Sequence, residues 1–138
     1  MQLTRQTEYA IRTLIELANA PEGVMLHSGS IAEKLNLPDM FLKKTVQFLV
    51  QAGLVETRRG MGGGMRLAVP PNTVTLADIL AAIEGKLSIN PCLRGVYHCE
   101  DQSECPVRKV LQRTQGAILA ELSKETLADL AKGEVVSE

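Results

Sequence analysis

Glycine occupies four of the five positions 60–64, between two short segments, 54–59 and 65–69, whose composition predicts β-strands. Because glycine tolerates the positive φ angles of tight turns, this run predicts a hairpin between the two strands. Glycine-rich loops also bind nucleotide phosphates, but such a loop leads into a helix, and a P-loop carries Gly-Lys-Ser/Thr there. Here the glycines lead into a strand, so we expect a β-hairpin and no nucleotide site.

The residues before the hairpin predict three helices. Apolar side chains recur at helical spacing within 5–19, and Thr4 is a suitable N-cap. The run Ser30-Ile31-Ala32-Glu33 has the spacing of a capping box and predicts a short second helix. After a turn at 36–39, a third apolar stripe extends to Gly53. A longer helix followed by two short ones predicts a helix-turn-helix, with the hairpin as its wing.

The residues after the hairpin predict further helices. Thr75 caps one helix, Pro106 begins a long helix to about Leu122, and a final short helix starts at Ser123. The apolar positions of the long helix repeat nearly as a heptad. This pattern indicates packing against its own copy in a homodimer, with packing on its own chain as the alternative.

Length and composition fit this organisation. With 138 residues, 45% of them hydrophobic, the chain forms one domain or one domain with an appendage. The predicted fold class is mainly α with a small β-hairpin wing. We predict a winged helix-turn-helix domain at 1–70, of the kind that binds DNA, followed at 71–138 by a loop that contains all three cysteines of the chain and by helices expected to form a dimer. No apolar run approaches the roughly 18 residues that span a membrane, and the first residues do not resemble a signal peptide, so we expect a cytoplasmic protein.

Positive charge is concentrated around the predicted wing. The formal net charge is −1, yet residues 40–66 contain five Lys and Arg against a single Glu. A compact basic stretch on a nearly neutral protein is typical of a small DNA-reading surface. A solvated charged face is the alternative interpretation.

All three cysteines, Cys92, Cys99 and Cys105, lie in one polar, turn-rich segment. An odd number of cysteines cannot pair completely, and a reducing compartment disfavours disulfides. Three thiolates in one segment suit a metal or an iron–sulfur cluster, which takes soft ligands and usually four of them. The cysteines leave the fourth ligand open, and His98, beside Cys99, is one candidate.

With these features the chain resembles the IscR/NsrR-type winged-helix regulators of bacteria over nearly its whole length. The resemblance rests on the first helix, on Gly53-Leu54-Val55, on the wing run Arg59-Gly60-Met61-Gly62-Gly63-Gly64 and on the three-cysteine segment. It implies a homodimeric transcriptional regulator that binds a palindromic operator in double-stranded DNA. Most regulators of this family are repressors.

The resemblance also implies which residues contact DNA. Met40, Lys43 and Lys44 of the third helix would enter the major groove, and Arg59 of the wing would enter the flanking minor groove. Lysine suits guanine O6 and N7 or, equally, phosphate. Glycines at the turn let the hairpin backbone approach the sugar–phosphate wall. The full set of expected DNA-binding residues is Met40, Lys43, Lys44, Arg58, Arg59, Gly62 and Gly63.

In the same family a cluster is held by three cysteines that correspond to Cys92, Cys99 and Cys105. One branch adds a histidine three residues after the last cysteine, but Arg108 stands there and has no lone pair for iron. The nitric-oxide-sensing branch, which this chain resembles more closely, uses a carboxylate near the partner's N-terminus. The resemblance thus implies Glu8 of the partner subunit as the fourth ligand of a [4Fe–4S] or [2Fe–2S] cluster. A first-turn acid that favours the helix dipole is the alternative role.

The expected function is therefore a transcriptional repressor controlled by a cluster that senses nitric oxide, redox state or iron status. A zinc-stabilised regulator is one alternative, disfavoured because no Cys-x-x-Cys pair is present. A cluster-free regulator that forms a disulfide on oxidation is another. An enzyme that uses Cys99 and His98 would lack a third orienting group, so we expect no enzymatic activity.

Overall fold

The computed structural model of the chain describes residues 3–95, 99–100 and 102–135. In chain order the elements are α1 (Arg5–Asn19), α2 (Ser28–Leu35), α3 (Asp39–Gln51), β1 (Val55–Arg58), β2 (Gly64–Leu67), α4 (Leu76–Glu84), α5 (Pro106–Leu122) and α6 (Leu127–Lys132). Short 3-10 turns lie at Pro71–Thr73 and Pro91–Leu93. The predicted fold class, mainly α with a β-hairpin wing, is confirmed.

Local sequence signals set most of the helix ends. The Thr4 hydroxyl accepts a hydrogen bond from the Thr7 backbone N–H at 3.2 Å, which confirms Thr4 as the N-cap of α1. Thr75 and Asp78 form a capping box at the start of α4. Gly53 follows α3 with φ 76°, a conformation that most side chains would strain.

Two predicted helix starts were wrong. Helix α2 begins at Ser28 and not at a capping box around Ser30. Leu26 and Met65 exchange backbone hydrogen bonds at 2.9 and 2.8 Å, which hold the chain extended up to the point where α2 begins. Helix α6 begins after Thr126 and not at Ser123, because Ser123 instead donates its hydroxyl to the Leu119 carbonyl at the end of α5.

The wing, residues 55–67, is an antiparallel hairpin in which Val55 lies opposite Leu67 and Arg58 opposite Gly64. Gly63 is the position where the turn is tightest. A Cβ there would lie 2.4 Å from the Arg58 carbonyl oxygen and 2.8 Å from that of Gly60. The turn therefore requires glycine at this position.

One apolar core joins the two ends of the chain. Leu14, Leu42 and Leu49 are fully buried together with Ile79 from α4 and Leu127 from α6. Helix α1 packs against both α3 and α6. The two predicted domains, 1–70 and 71–138, therefore share one core. Their division into a DNA-binding part and a cysteine-containing part stays a prediction about function.

Helix α5 contributes no buried side chain to this core. Val107 and Val110 on α5 are 62% and 50% exposed. The helix spans the residues predicted for it, but its role in dimerisation stays a prediction. Among the described residues, no helix has the length and apolar character needed to cross a membrane.

Candidate DNA-binding surface and cysteine segment

A solvent-open groove of about 870 Å³ separates α3 from the wing. Lys43 and Gln47 line it from α3, and Arg58, Arg59 and Gly63 line it from the wing. We call this feature the recognition groove. Folding thus brings together four of the residues expected to bind DNA, because the wing lies alongside the exposed face of α3.

The other expected contact residues, Met40, Lys44 and Gly62, are exposed beside the groove and not in its lining. Met40 precedes Lys43 and Gln47 at helical spacing, so it extends the same face of α3 by one turn. Sequence reasoning missed Gln47. Its spacing of four residues from Lys43 is the signal that points to it.

Ion pairs divide the cations of this surface into two groups. The Lys43 Nζ lies 2.9 Å from a carboxylate oxygen of Asp39, one helical turn earlier. Arg66 pairs with Glu56 across the two strands of the wing. Within the described part of the chain, Lys44, Arg58 and Arg59 form no ion pair, so their charges remain available to an anionic partner.

The cysteine segment, residues 90–106, joins α4 to α5. Cys92 lies in the Pro91–Leu93 turn and is half-buried, Cys99 is exposed, and Cys105 is the half-buried N-cap residue of α5. All three are free thiols. The Asn90 side-chain amide donates a hydrogen bond to the Cys92 Sγ at 3.1 Å.

Arg108 ties the first cysteine to the helix that follows the last. Its Nε donates a hydrogen bond to the Cys92 carbonyl at 3.3 Å, and the Gln102 amide donates to the same oxygen at 3.4 Å. The Gln115 side chain accepts a hydrogen bond from the Ile89 backbone N–H at 3.1 Å. The start of the segment is thus held against α5 by side-chain contacts from α5 itself.

One chain supplies only part of the expected ligand set, because Glu8 is expected from the partner subunit. Among the described residues, no three His, Cys, Asp or Glu side chains form a group suited to a metal ion. His98 lies outside the described residues. Glu8 is exposed in the first turn of α1. The ligand set of Cys92, Cys99, Cys105 and Glu8 of the partner subunit therefore stays a prediction.

A carboxylate connects the end of α4 to the start of α1. Glu84 accepts hydrogen bonds from the hydroxyls of Thr7 and Thr4, and these bonds lower the pKa of Glu84 below its ordinary value. Thr7 is fully buried beneath this contact. The helix that leads into the cysteine segment is therefore bonded to the helix that carries Glu8.

These features agree with a family match that spans residues 3–133, to a family described as Rrf2, iron-dependent transcriptional regulator. The chain belongs to the Rrf2 family. The regulator NsrR of Bacillus subtilis strain 168, described as an HTH-type transcriptional regulator, is 35% identical over 133 residues, which cover 96% of this chain and 91% of that protein.

Solved structures of other regulators share the fold. CymR (YrzC), described as the global cysteine regulator of B. subtilis, matches with a TM-score of 0.80 at 32% identity and covers 96% of this chain and 98% of its own. IscR of T. potens matches with a TM-score of 0.76 at 24% identity, covering 100% of this chain and 93% of that one, and supports the fold alone.

Family membership settles the class of this Rrf2 protein. It is a transcriptional regulator and not an enzyme, as the sequence predicted. The resemblance to the IscR/NsrR type is confirmed by the family match and by the relative from B. subtilis.

Proposed function

We propose that this Rrf2 regulator is a homodimeric repressor that binds a palindromic operator under the control of an iron–sulfur cluster. The observation that carries the DNA-binding half of the proposal is the recognition groove. Arg58 and Arg59 line its wing side. Within the described residues, neither arginine forms an ion pair. Cations on an exposed helix-and-hairpin surface match the phosphate backbone of a duplex.

Docking follows from the shape of this surface. Helix α3 would lie in the major groove, where Met40, Lys43 and Lys44 reach base edges or phosphates. The wing would follow the adjacent backbone, with Arg59 in the minor groove, whose negative potential attracts arginine. The glycine turn keeps side-chain bulk out of this approach.

A dimer would present two such surfaces. Helix α5 exposes Val107 and Val110 and buries no side chain in its own chain, which suits a helix that packs on its copy. Two α3 helices related by a two-fold axis would then read half-sites about one helical turn apart. The operator is therefore proposed to be palindromic.

The chemistry of the cysteine segment supports an iron–sulfur cluster. Three free thiols on one segment are the soft donors that such a cluster takes, and a carboxylate from a second chain would complete four ligands. When bound, the cluster would supply a centre that nitric oxide, oxygen or iron depletion can damage. In this chain Arg108 and Asn90 would orient the Cys92 side of the segment, and Glu8 would stand as the labile ligand.

Control of DNA binding would pass through α4 and α1. A change in the cysteine segment acts directly on α4, which precedes it. Glu84 at the end of α4 is bonded to Thr7 of α1, and α1 packs on α3. A shift of α1 would therefore alter the tilt of α3 in each subunit, and the spacing of the two half-sites tolerates little change.

A cluster-free thiol regulator is the second candidate, and one observation favours it. Cys99 is exposed, which leaves its thiol accessible to an oxidant. Oxidation of two thiols would join them in a disulfide with loss of two electrons and two protons to the oxidant. A zinc site on the same thiols is the third possibility.

The deciding experiment is anaerobic purification of the full-length protein, followed by visible absorption and by iron and acid-labile sulfide assays. We expect a coloured protein with sulfide close to iron, bleached by nitric oxide or air. A colourless protein that takes up no sulfide on reconstitution would contradict the cluster, and zinc and thiol assays would then separate the two alternatives. Selection from a random DNA library tests the other half, because a failure to enrich any duplex would contradict operator binding.

A further inference from the structure

Met40 is an unusual residue for the exposed end of a DNA-reading helix. It is the second residue of α3, and 83% of its surface is exposed. The ring of the neighbouring Phe41 packs edge-on against Tyr9, with ring centroids 6.2 Å apart. Met40 instead lies one turn before Lys43 and Gln47 on the same face of α3. Those two residues line the recognition groove, and Met40 lies beside it.

The chemistry of a thioether limits what Met40 can read. It has no hydrogen-bond donor and only a weak acceptor. Among the groups that base pairs present in the major groove, the one methyl group is the C5-methyl of thymine, which favours an apolar partner. In helix-turn-helix proteins the residues that meet base edges come from the N-terminal end of the recognition helix, which is where Met40 lies.

We propose that Met40 contacts the C5-methyl group of one thymine in each half-site of the operator. This inference rests on the proposed function, because it requires α3 to lie in the major groove. Beside Met40, the Lys43 ammonium is paired with Asp39 at 2.9 Å, so its charge is neutralised within the helix. The apolar Met40 side chain therefore lies next to a neutral ion pair. The thioether thereby specifies a base pair that lysine alone would not distinguish.

The consequence is a measurable preference for thymine over uracil. Replacing one thymidine by deoxyuridine removes the C5-methyl group of the base and leaves base pairing unchanged. The loss expected for one buried methyl-sized group is about fourfold in affinity for each half-site, or about 15-fold when both symmetric positions are replaced.

The experiment uses full-length protein and the duplex obtained by selection from a random library. Each thymidine is replaced in turn by deoxyuridine, at the symmetric positions of both half-sites. The affinity of the protein for each duplex is measured by fluorescence anisotropy. The variants are Met40→Ala, Met40→Leu and Met61→Ala. Met61 is the matched control because it is a fully exposed methionine at the wing tip, away from the major groove that α3 would occupy.

The expected result is one symmetric thymine pair at which wild type and Met61→Ala lose affinity for the uracil duplex. Met40→Leu should keep this discrimination, and Met40→Ala should bind the thymine and uracil duplexes equally. Uracil substitution without effect at every position would overturn the inference, as would discrimination that persists in Met40→Ala. Failure to select any duplex would instead overturn the proposed function, so the two failures are distinguishable.

Discussion

The hydroxyl of Thr7, in the first turn of α1, donates a hydrogen bond to the carboxylate of Glu84, the last residue of α4, although the two residues lie 77 positions apart. Thr4 adds its hydroxyl at 2.8 Å and its backbone N–H at 3.2 Å. Because Thr4 is the N-cap of α1, Glu84 also places a negative charge at a helix N-terminus, which the helix dipole favours. This contact is a direct hydrogen-bonded link between the wing-bearing half of the chain and the helix before the cysteines.

We expect this contact to make stability depend on acidity. The Thr7 and Thr4 hydroxyls hold the pKa of Glu84 below its ordinary value. A carboxyl with a lowered pKa stabilises the folded state above the pKa of the unfolded chain, and this contribution is lost as the pH falls through the folded-state pKa. Glu84→Gln cannot ionise, so it should melt below wild type at neutral pH and approach wild type as the pH falls through the folded-state pKa of Glu84.

Circular dichroism melts across this range measure the effect. Glu84 is exposed, so the difference at neutral pH should stay below about 1 kcal/mol. Glu33→Gln, on the exposed side of α2, is the control for removing one carboxylate. A gap between Glu84→Gln and wild type that stays constant at all pH values would contradict the role of ionisation.

The shared core makes a prediction about the C-terminal helix. Leu127 of α6 is fully buried in the same cluster as Leu14 and Leu49. Leu127→Ala should therefore lower the free energy of unfolding by about 3 kcal/mol, as for a central core leucine. The exposed Val135 is the control, because Val135→Ala should change it by less than about 0.5 kcal/mol. Urea denaturation should show one transition, and a separate early transition in Leu127→Ala would indicate that α6 folds independently.

The wing turn should not accept a side chain at Gly63. A Cβ at this position would lie 2.4 Å from the Arg58 carbonyl oxygen, so Gly63→Ala must open the turn. The strain is about 1–3 kcal/mol, and displacement of Arg58 and Arg59 should weaken operator binding about tenfold. Gly29→Ala in α2 is the control because nothing lies near its Cβ. Anisotropy titrations that give equal affinities for Gly63→Ala and wild type would exclude a role for the turn.

The ion pair on α3 should limit electrostatic binding to DNA. Asp39→Asn removes a carboxylate from the helix that we propose faces the duplex, and it frees the Lys43 charge. DNA affinity should rise, and the slope of log affinity against log salt should steepen by about 1, the value for one further phosphate contact. The exposed Glu134 supplies a charge-matched control, Glu134→Gln. An unchanged slope in Asp39→Asn would place Lys43 away from phosphate.

Arg108 should position the first cysteine. Its Nε bonds to the Cys92 carbonyl at 3.3 Å, so Arg108→Ala releases the start of the cysteine segment from α5. If the segment holds a cluster, loss of this support should reduce iron affinity about tenfold. Lys109→Ala, at an exposed neighbouring position, is the control. Iron and sulfide assays after anaerobic purification measure the effect, and equal contents in both variants would contradict it.

The sequence by itself determined the helices, the hairpin and the family. Caps such as Thr4 and Thr75, the stop at Gly53 and the glycine turn act over a few residues, so their effects can be read from spacing alone. Even the wrong start of α2 was displaced by only three residues, from an N-cap at Ser30 to one at His27, and its cause was the distant pairing of Leu26 with Met65.

The tertiary structure decided which side chains meet across the chain. The bond from Thr7 to Glu84, the contact of Arg108 with Cys92 and the placement of Gln47 opposite the wing join residues that no local pattern relates. Their proximity is set by how α1, α3 and α4 pack around a core drawn from both halves of the chain, and by how α5 packs against α4. Packing acts through the summed burial of many apolar groups, so individual polar contacts become visible only once the helices are in place.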